Sequence, residues 1–195
     1  MTSFPAIDIQ ITPPLPPPLL NLFQRGVLVE VELGVDVLSL LRGEFCLSED
    51  GIAKIQTIFW QGKPVDDLSG CRISEGGILA LSAALPGLVG ACLRRDGAWA
   101  ALRDSISHNG EAVIGDKQRG FITVRLFNFM MREVGPLLLA RGLVCESERF
   151  VDVLAHPALF LSNSRISLDD QEVSEAALAE LLSQPGHIML RVSTP

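Results

Sequence analysis

Residues 55–91 read IQTIFWQGKPVDDLSGCRISEGGILALSAALPGLVGA, and the parsing of this stretch decides the fold. Ile55-Gln56-Thr57-Ile58-Phe59-Trp60 is rich in β-branched and aromatic side chains, which suit a pleated, half-buried surface, so it reads as a strand. Gln61-Gly62-Lys63-Pro64 closes it with turn chemistry. After Glu75-Gly76-Gly77 a second apolar run, Ile78-Leu79-Ala80-Leu81, forms another strand, ended by Pro86-Gly87. Strand, tight turn, short strand, turn and strand follow one another here, and the exit is rich in Pro and Gly.

Upstream, Ile7-Asp8-Ile9-Gln10-Ile11-Thr12 alternates apolar and polar and reads as a half-buried strand. The following TPPLPPPLL, residues 12–20, carries five prolines in six positions, which removes backbone donors and predicts a polyproline II path or a stiff loop. Its Pro13-x-x-Pro16 spacing formally matches ligands of SH3-type domains, but no basic anchor lies beside it. Val27 to Leu33 alternates again as a second strand, and Gly34 ends it. Asp36 is placed to cap a helix through Val37-Leu38-Ser39-Leu40-Leu41, ending near Gly43, and Ser48-Glu49-Asp50-Gly51 reads as a turn. Strand, long hairpin loop, strand, helix, strand, short strand, strand is the β-grasp or ubiquitin-like order, in which one amphipathic helix covers the apolar face of one sheet.

Within that order, Trp60-Gln61-Gly62-Lys63-Pro64-Val65 followed by Ser74-Glu75-Gly76-Gly77-Ile78-Leu79-Ala80-Leu81 resembles the small sulfur-carrier proteins of the ThiS/MoaD type. The resemblance spans roughly residues 6–91. It implies a β-grasp fold and a tail whose terminal glycine carboxylate is adenylated and thiolated, glycines being thin enough to thread a narrow channel. The equivalent tail here, Leu85-Pro86-Gly87-Leu88-Val89-Gly90-Ala91, has no Gly-Gly and runs on for another hundred residues. Carrier chemistry therefore implies processing near Gly87 or Gly90.

Downstream, Phe121 to Phe127 reads as a strand, Val134 to Val144 as a helix with Pro136 in its first turn, and Ser147 as the cap of a helix through Leu154. Ser174 is a candidate cap for Glu175 to Leu182, Pro185-Gly186 stops that helix, and His187 to Val192 is a terminal strand. The expected class is α+β: a β-grasp-like unit over residues 1–92 and a second small α+β unit over 93–195. Phe160 to Asp170, FLSNSRISLDD, set against Phe59 to Asp67, FWQGKPVDD, hints at a degenerate internal repeat.

Composition narrows the function. With 195 residues, 48% hydrophobic, the chain can bury a substantial core, and its net charge of −7 disfavours nucleic-acid or anionic-membrane partners, which require a basic surface. The charge-free run from Gly76 to Leu93 has the length of a membrane span, but Pro86 and its glycines interrupt it, so a buried strand followed by a turn is expected. Cys46, Cys71, Cys92 and Cys145 form no CxxC and lie among apolar neighbours, which predicts small buried hydrophobes in a reducing, cytoplasmic setting, with no metal. Asp66-Asp67 and Asp169-Asp170 read as turns or caps, because adjacent residues on an extended chain face opposite ways. His108, His156 and His187 have no partner at catalytic spacing, and no glycine-rich phosphate loop is present, so no cofactor is expected. The one crowding of a thiol with charges is Cys92, Arg94, Arg95 and Asp96, a candidate anion site at the junction of the two units. The reading is a non-enzymatic module that binds a protein partner or itself. A processed sulfur carrier and a binder of small anions are the alternatives.

Overall fold

The computed structural model describes residues 4–95, 97, 118–154, 164–169 and 171–194. Ten strands form one mixed sheet, and helices cover its aliphatic face, so the class is α+β. In chain order the elements are β1 (Ala6–Ile11), α1 (Pro17–Arg25), β2 (Val27–Glu32), α2 (Val37–Ser39) running into a π-helical turn (Leu40–Glu44), α3 (Glu49–Ala53), β3 (Thr57–Trp60), β4 (Lys63–Pro64), β5 (Ile78–Ser82) and α4 (Gly87–Leu93). Then come β6 (Arg119–Phe127), α5 (Met130–Glu133), α6 (Gly135–Arg141), β7 (Leu143–Glu146), α7 (Ser147–Leu154), β8 (Ser164–Leu168), β9 (Gln171–Glu172), α8 (Glu175–Leu182) and β10 (His187–Ser193). Across the sheet the strands lie β4-β3-β5-β6-β2-β7-β10-β1-β8-β9.

The period-2 pattern of the strands builds the core. Ile7, Ile9, Val27, Val29, Ile122, Val124, Leu143, Leu190 and Val192 are each at most 3% exposed and share one face by register. Onto that face α1 sets Leu19, Leu22 and Phe23, and α6 sets Leu138 and Leu139. Asp36 caps α2 by accepting from the Ser39 amide at 2.8 Å, as its position predicts. Ser48 does the same for α3, where a plain turn was expected, and Ser174 for α8.

Three features depart from the sequence reading. The proline tract does not continue as a loop: Pro16 supplies the extended residue before a helix, and Pro17 and Pro18 occupy the first turn, where a missing N–H costs nothing. The helix expected to run to Val144 stops at Arg141, and residues 143–146 form a central strand. Finally, β1 and β2 are not a hairpin. β2 lies between β6 and β7, while β1 pairs in parallel with β10 and antiparallel with β8.

The sheet consists of two sets of five strands whose registers correspond. In one set Val27 faces Val124, Val124 faces Leu79, Leu79 faces Trp60, and Trp60 faces Lys63 across a two-residue turn. In the other Leu143 faces Leu190, Leu190 faces Ile7, Ile7 faces Leu168, and Leu168 faces Gln171 across a two-residue turn. Parallel and antiparallel senses agree at every step, and the first residue of each turn has positive φ, 52° at Gln61 and 47° at Asp169. The sets meet where Leu28 pairs with Val144. Residues 22–38, LFQRGVLVEVELGVDVL, align without a gap to residues 138–154, LLARGLVCESERFVDVL, sharing Leu22/Leu138, Arg25/Arg141, Gly26/Gly142, Glu30/Glu146, Glu32/Glu148 and the run VDVL. Both glycines end a helix with matching backbones, φ 100° and ψ 141° at Gly26, φ 102° and ψ 138° at Gly142.

Those two glycines predict unequal costs. A Cβ at Gly26 meets Thr123 Cγ2 at 2.7 Å, whereas at Gly142 the nearest atom is Met189 Sδ at 3.4 Å. Both alanine variants carry the strain of positive φ, on the order of 1–3 kcal/mol. Urea unfolding is expected to show Gly26→Ala as the more destabilised of the two.

Candidate functional site

Two arrangements of side chains stand out, one polar and one apolar. The polar one is built where the chain leaves the π-helical turn, a form associated with functional or strained positions. Glu44 ends that turn and lies between two guanidinium groups from distant elements. Arg141 of α6 donates to the Glu44 carboxylate, to its carbonyl at 2.5 Å and to the Glu30 carbonyl at 2.8 Å. Arg119 of β6 donates to Glu44 Oε1 at 2.9 Å and to the same Glu30 carbonyl at 3.0 Å. Burial works against the charged Glu44 carboxylate more strongly than any other single influence. The hydrogen bond and charge of Arg141, with the charge of Arg119 and the Glu32 amide, together outweigh it and hold the carboxyl below the usual glutamate range. The cluster borders a recess of about 490 Å³ lined by Glu32, Val35, Ser39, Gly43, Glu44 and Arg141. Both arginines are engaged by protein oxygens, and through Arg141 the cluster clamps α6, which leads into β7, to the β2 side of the sheet.

The apolar arrangement is a groove of about 690 Å³ between the proline segment and α5–α6. Pro13, Pro14, Leu15 and Leu20 form one wall, and Met131 and Pro136 the other, with Asn128 and Arg132 as polar rim. Phe129 and Leu137, 47% and 40% exposed, belong to the same α5–α6 segment. Lys54 partly screens Phe129, its Nζ 5.6 Å from the ring centre and 3.1 Å from Glu133.

The residues singled out in the sequence are placed differently. Gly87 and Gly90 belong to α4, so a helix stands where a turn was expected after the strand, and a Cβ at Gly90 would sit 2.0 Å from the Leu85 carbonyl oxygen. Cys92 is half-buried on the same helix and Arg94 is exposed just after it. Arg95 ties this segment to the turn before β3, its amide donating to the Gln56 carbonyl at 2.7 Å and its guanidinium to the Ile52 carbonyl at 3.4 Å. Asp96, His108, His156 and Asp170 lie outside the described residues. Asp67 makes the expected turn, accepting from the Ser69 amide, and Asp169 accepts from the Ala6 amide. His187 opens β10 and touches the Phe4 ring. Cys71 and Cys145 are buried, and desolvation pushes both thiols up to about 12. Cys46, expected to be buried, is exposed. Among the described residues no group of acidic, thiol and imidazole side chains has the makings of a metal site, and no helix is long and apolar enough to cross a membrane.

Neither arrangement was singled out in the sequence. Arg119 and Arg141 lie 75 and 97 residues from Glu44 along the chain, and only the fold brings them together. The available signal was the repeated Arg-Gly at 25–26 and 141–142, a helix stop with a cationic last turn.

The clamp has a pH signature. A carboxyl held below its unfolded value contributes stability that is fully present above the unfolded pKa and is lost as pH falls through the folded one. Chemical denaturation of wild type and Glu44→Gln is expected to show the largest gap near neutrality, narrowing as the pH drops below the ordinary glutamate range. A gap that stays constant with pH would show that the Glu44 charge is not what matters.

Comparison of the chain with protein-family models, with curated proteins and with solved structures gives no match.

Proposed function

We propose that this chain is a non-enzymatic protein-interaction or assembly module built from two β-grasp-like half-sheets related by duplication. In each half a parallel pair of strands lies inside antiparallel neighbours, and a helical segment follows the strand beside the joint, β2 or β7. This order of strands supports a β-grasp-like reading in which β6 and β10 take the first position although they come late in the chain, and in the second half β1 takes the last position although it comes first. The matched registers and the alignment of 22–38 with 138–154 support the duplication.

The observation that carries the interaction reading is the apolar groove between the proline segment and α5–α6, a segment that also exposes Phe129 and Leu137. An apolar concavity on a segment that also exposes aromatic and aliphatic side chains is a surface on which association gains from expelling water. The sheet edges are poor alternatives. β4 and β9 have two residues each, Pro64 lacks a donor, and Glu172 is charged, so edge-to-edge pairing is blunted. The carrier reading gains nothing from the helical segment at 87–93, nor the anion reading from Arg95, which is held by backbone carbonyls.

Leu137→Asp tests this directly. The side chain is partly exposed, so folding should be preserved and the melting temperature little changed. Light scattering after size exclusion, together with capture from native lysate, is expected to show association by the wild type and its loss in the variant. Wild type that stays monomeric and captures nothing specific would end the proposal.

A further inference from the structure

The connection of β1 to the rest of the molecule is unusual. All of its ladder pairs are with β10 and β8, from Ala6↔Met189 to Gln10↔Ser193 on one side and from Ile7↔Leu168 to Ile11↔Ser164 on the other. Ile7, Ile9 and Ile11, at most 2% exposed, fill the second half of the core, and Asp8 pairs with Arg191 at 3.3 Å. Yet α1, the next element, packs over β6 in the first half. Thr12 to Pro16 alone join the two, with Thr12, Pro13 and Pro14 exposed and three of the five lacking an N–H. By register β1 fills the position that β5 fills in the other half. There β5 is the next strand in the chain after β3 and β4, whereas the slot between β8 and β10 takes its strand from the far end of the chain.

We propose that β1 is an exchangeable strand, and that two copies of this chain assemble by each donating Ala6–Ile11 to the slot between β8 and β10 of the other. Exchange preserves every ladder bond, the isoleucine packing and the Asp8–Arg191 pair, and alters only the conformation of residues 12–16. Five extended residues span about 17 Å, enough to cross between two touching copies. The occupant is a second copy because the slot demands what β1 has: three alternating large aliphatics and an acid opposite Arg191. The hinge also lines the apolar groove through Pro13, Pro14 and Leu15, so opening it brings two copies together at the surface already inferred to associate. The inference rests on the assembly reading and supplies its mode.

Because Gln10 and Ser193 are exposed neighbours on parallel strands, cysteines placed there report which chain donates the strand. In the full-length chain carrying Cys46→Ser, Gln10→Cys and Ser193→Cys, unfolded and refolded over a range of concentrations, the dimer fraction is expected to rise with concentration. The dimer peak should run as a covalent dimer on a non-reducing gel and as a monomer after reduction. The unsubstituted chain gives a second readout: a dimer formed by exchange persists on dilution, because release requires β1 to leave its slot. A dimer whose bonds close within each chain, or which dissociates promptly on dilution, overturns strand exchange while leaving self-association standing. Failure to form any dimer at the highest attainable concentration overturns it as well, and capture of a foreign partner in that case preserves the broader interaction reading.

Discussion

The two halves of the ten-stranded sheet are joined by a single ladder pair. Between β2 and β7 only Leu28 and Val144 pair, although every other strand is attached, directly or through neighbours, to one of these two. So short a ladder leaves backbone carbonyls near the joint in need of donors, and buried backbone oxygens without partners are costly. Arginines supply them from both directions. Arg149 of α7 donates to the Gly26 carbonyl at 2.6 Å, and Arg141 of α6 donates to the Glu30 carbonyl while its charge is balanced by Glu44. The joint is therefore held by charge-assisted side-chain bonds where strand pairing would ordinarily suffice, and these are stronger than neutral ones. The helices add the rest, α1 crossing to meet α7 and α6 lying over β10.

Positions that correspond in the two halves are not used alike. Arg25 and Arg141 occupy matching helix ends, but Arg141 and Glu44 are largely shielded, with side chains 24% and 17% exposed, whereas Arg25 and Asp152 lie 3.8 Å apart at 70% and 73%. An exposed pair at that distance adds little to stability, because water and salt screen it and the side chains lose entropy in forming it. One corner of the joint thus carries the clamp, and the corresponding corner has an open polar recess lined by Arg25, Arg149 and Asp152.

Much of the local structure was legible in the sequence because it is set by neighbours. The alternation in Ile7 to Ile11, the Asp36 and Ser174 caps, and the β-branched run before Trp60 each act within a few residues, and each reads correctly. The proline tract misled because proline both breaks helices and begins them, and the choice at Pro17 is made by burial of Leu19, Leu22 and Phe23 on β6, which composition does not display. Residues 143–146 misled because an aliphatic run after a helix continues its pattern; the stop is Gly142, whose positive φ is available to glycine and strained elsewhere. Strand pairing was the least legible. A β1–β2 hairpin is the simplest closure of two nearby strands, yet β1 crosses to β10 more than 180 residues away, and nothing local records it. For the same reason the clamp was invisible, while the groove needed both α1 and α5–α6 in place.

The order of chain elements also bears on how the halves become complete. β5 is delivered to its site by a chain that has just made β3 and β4, so the first half-sheet acquires that strand through local closure. The second half-sheet needs β1 from the start of the chain and β10 from its end, and these pair in parallel, which requires long-range closure and loses more chain entropy. Until both arrive, the β8 edge and the aliphatic face beneath Ile7 and Ile9 stay open. The half that needs the longer closure is also the half whose strand is tethered by a donor-poor hinge. Long-range pairing is thus concentrated at the β8–β10 slot, which draws its strand from the far end of the chain and so demands the slower closure.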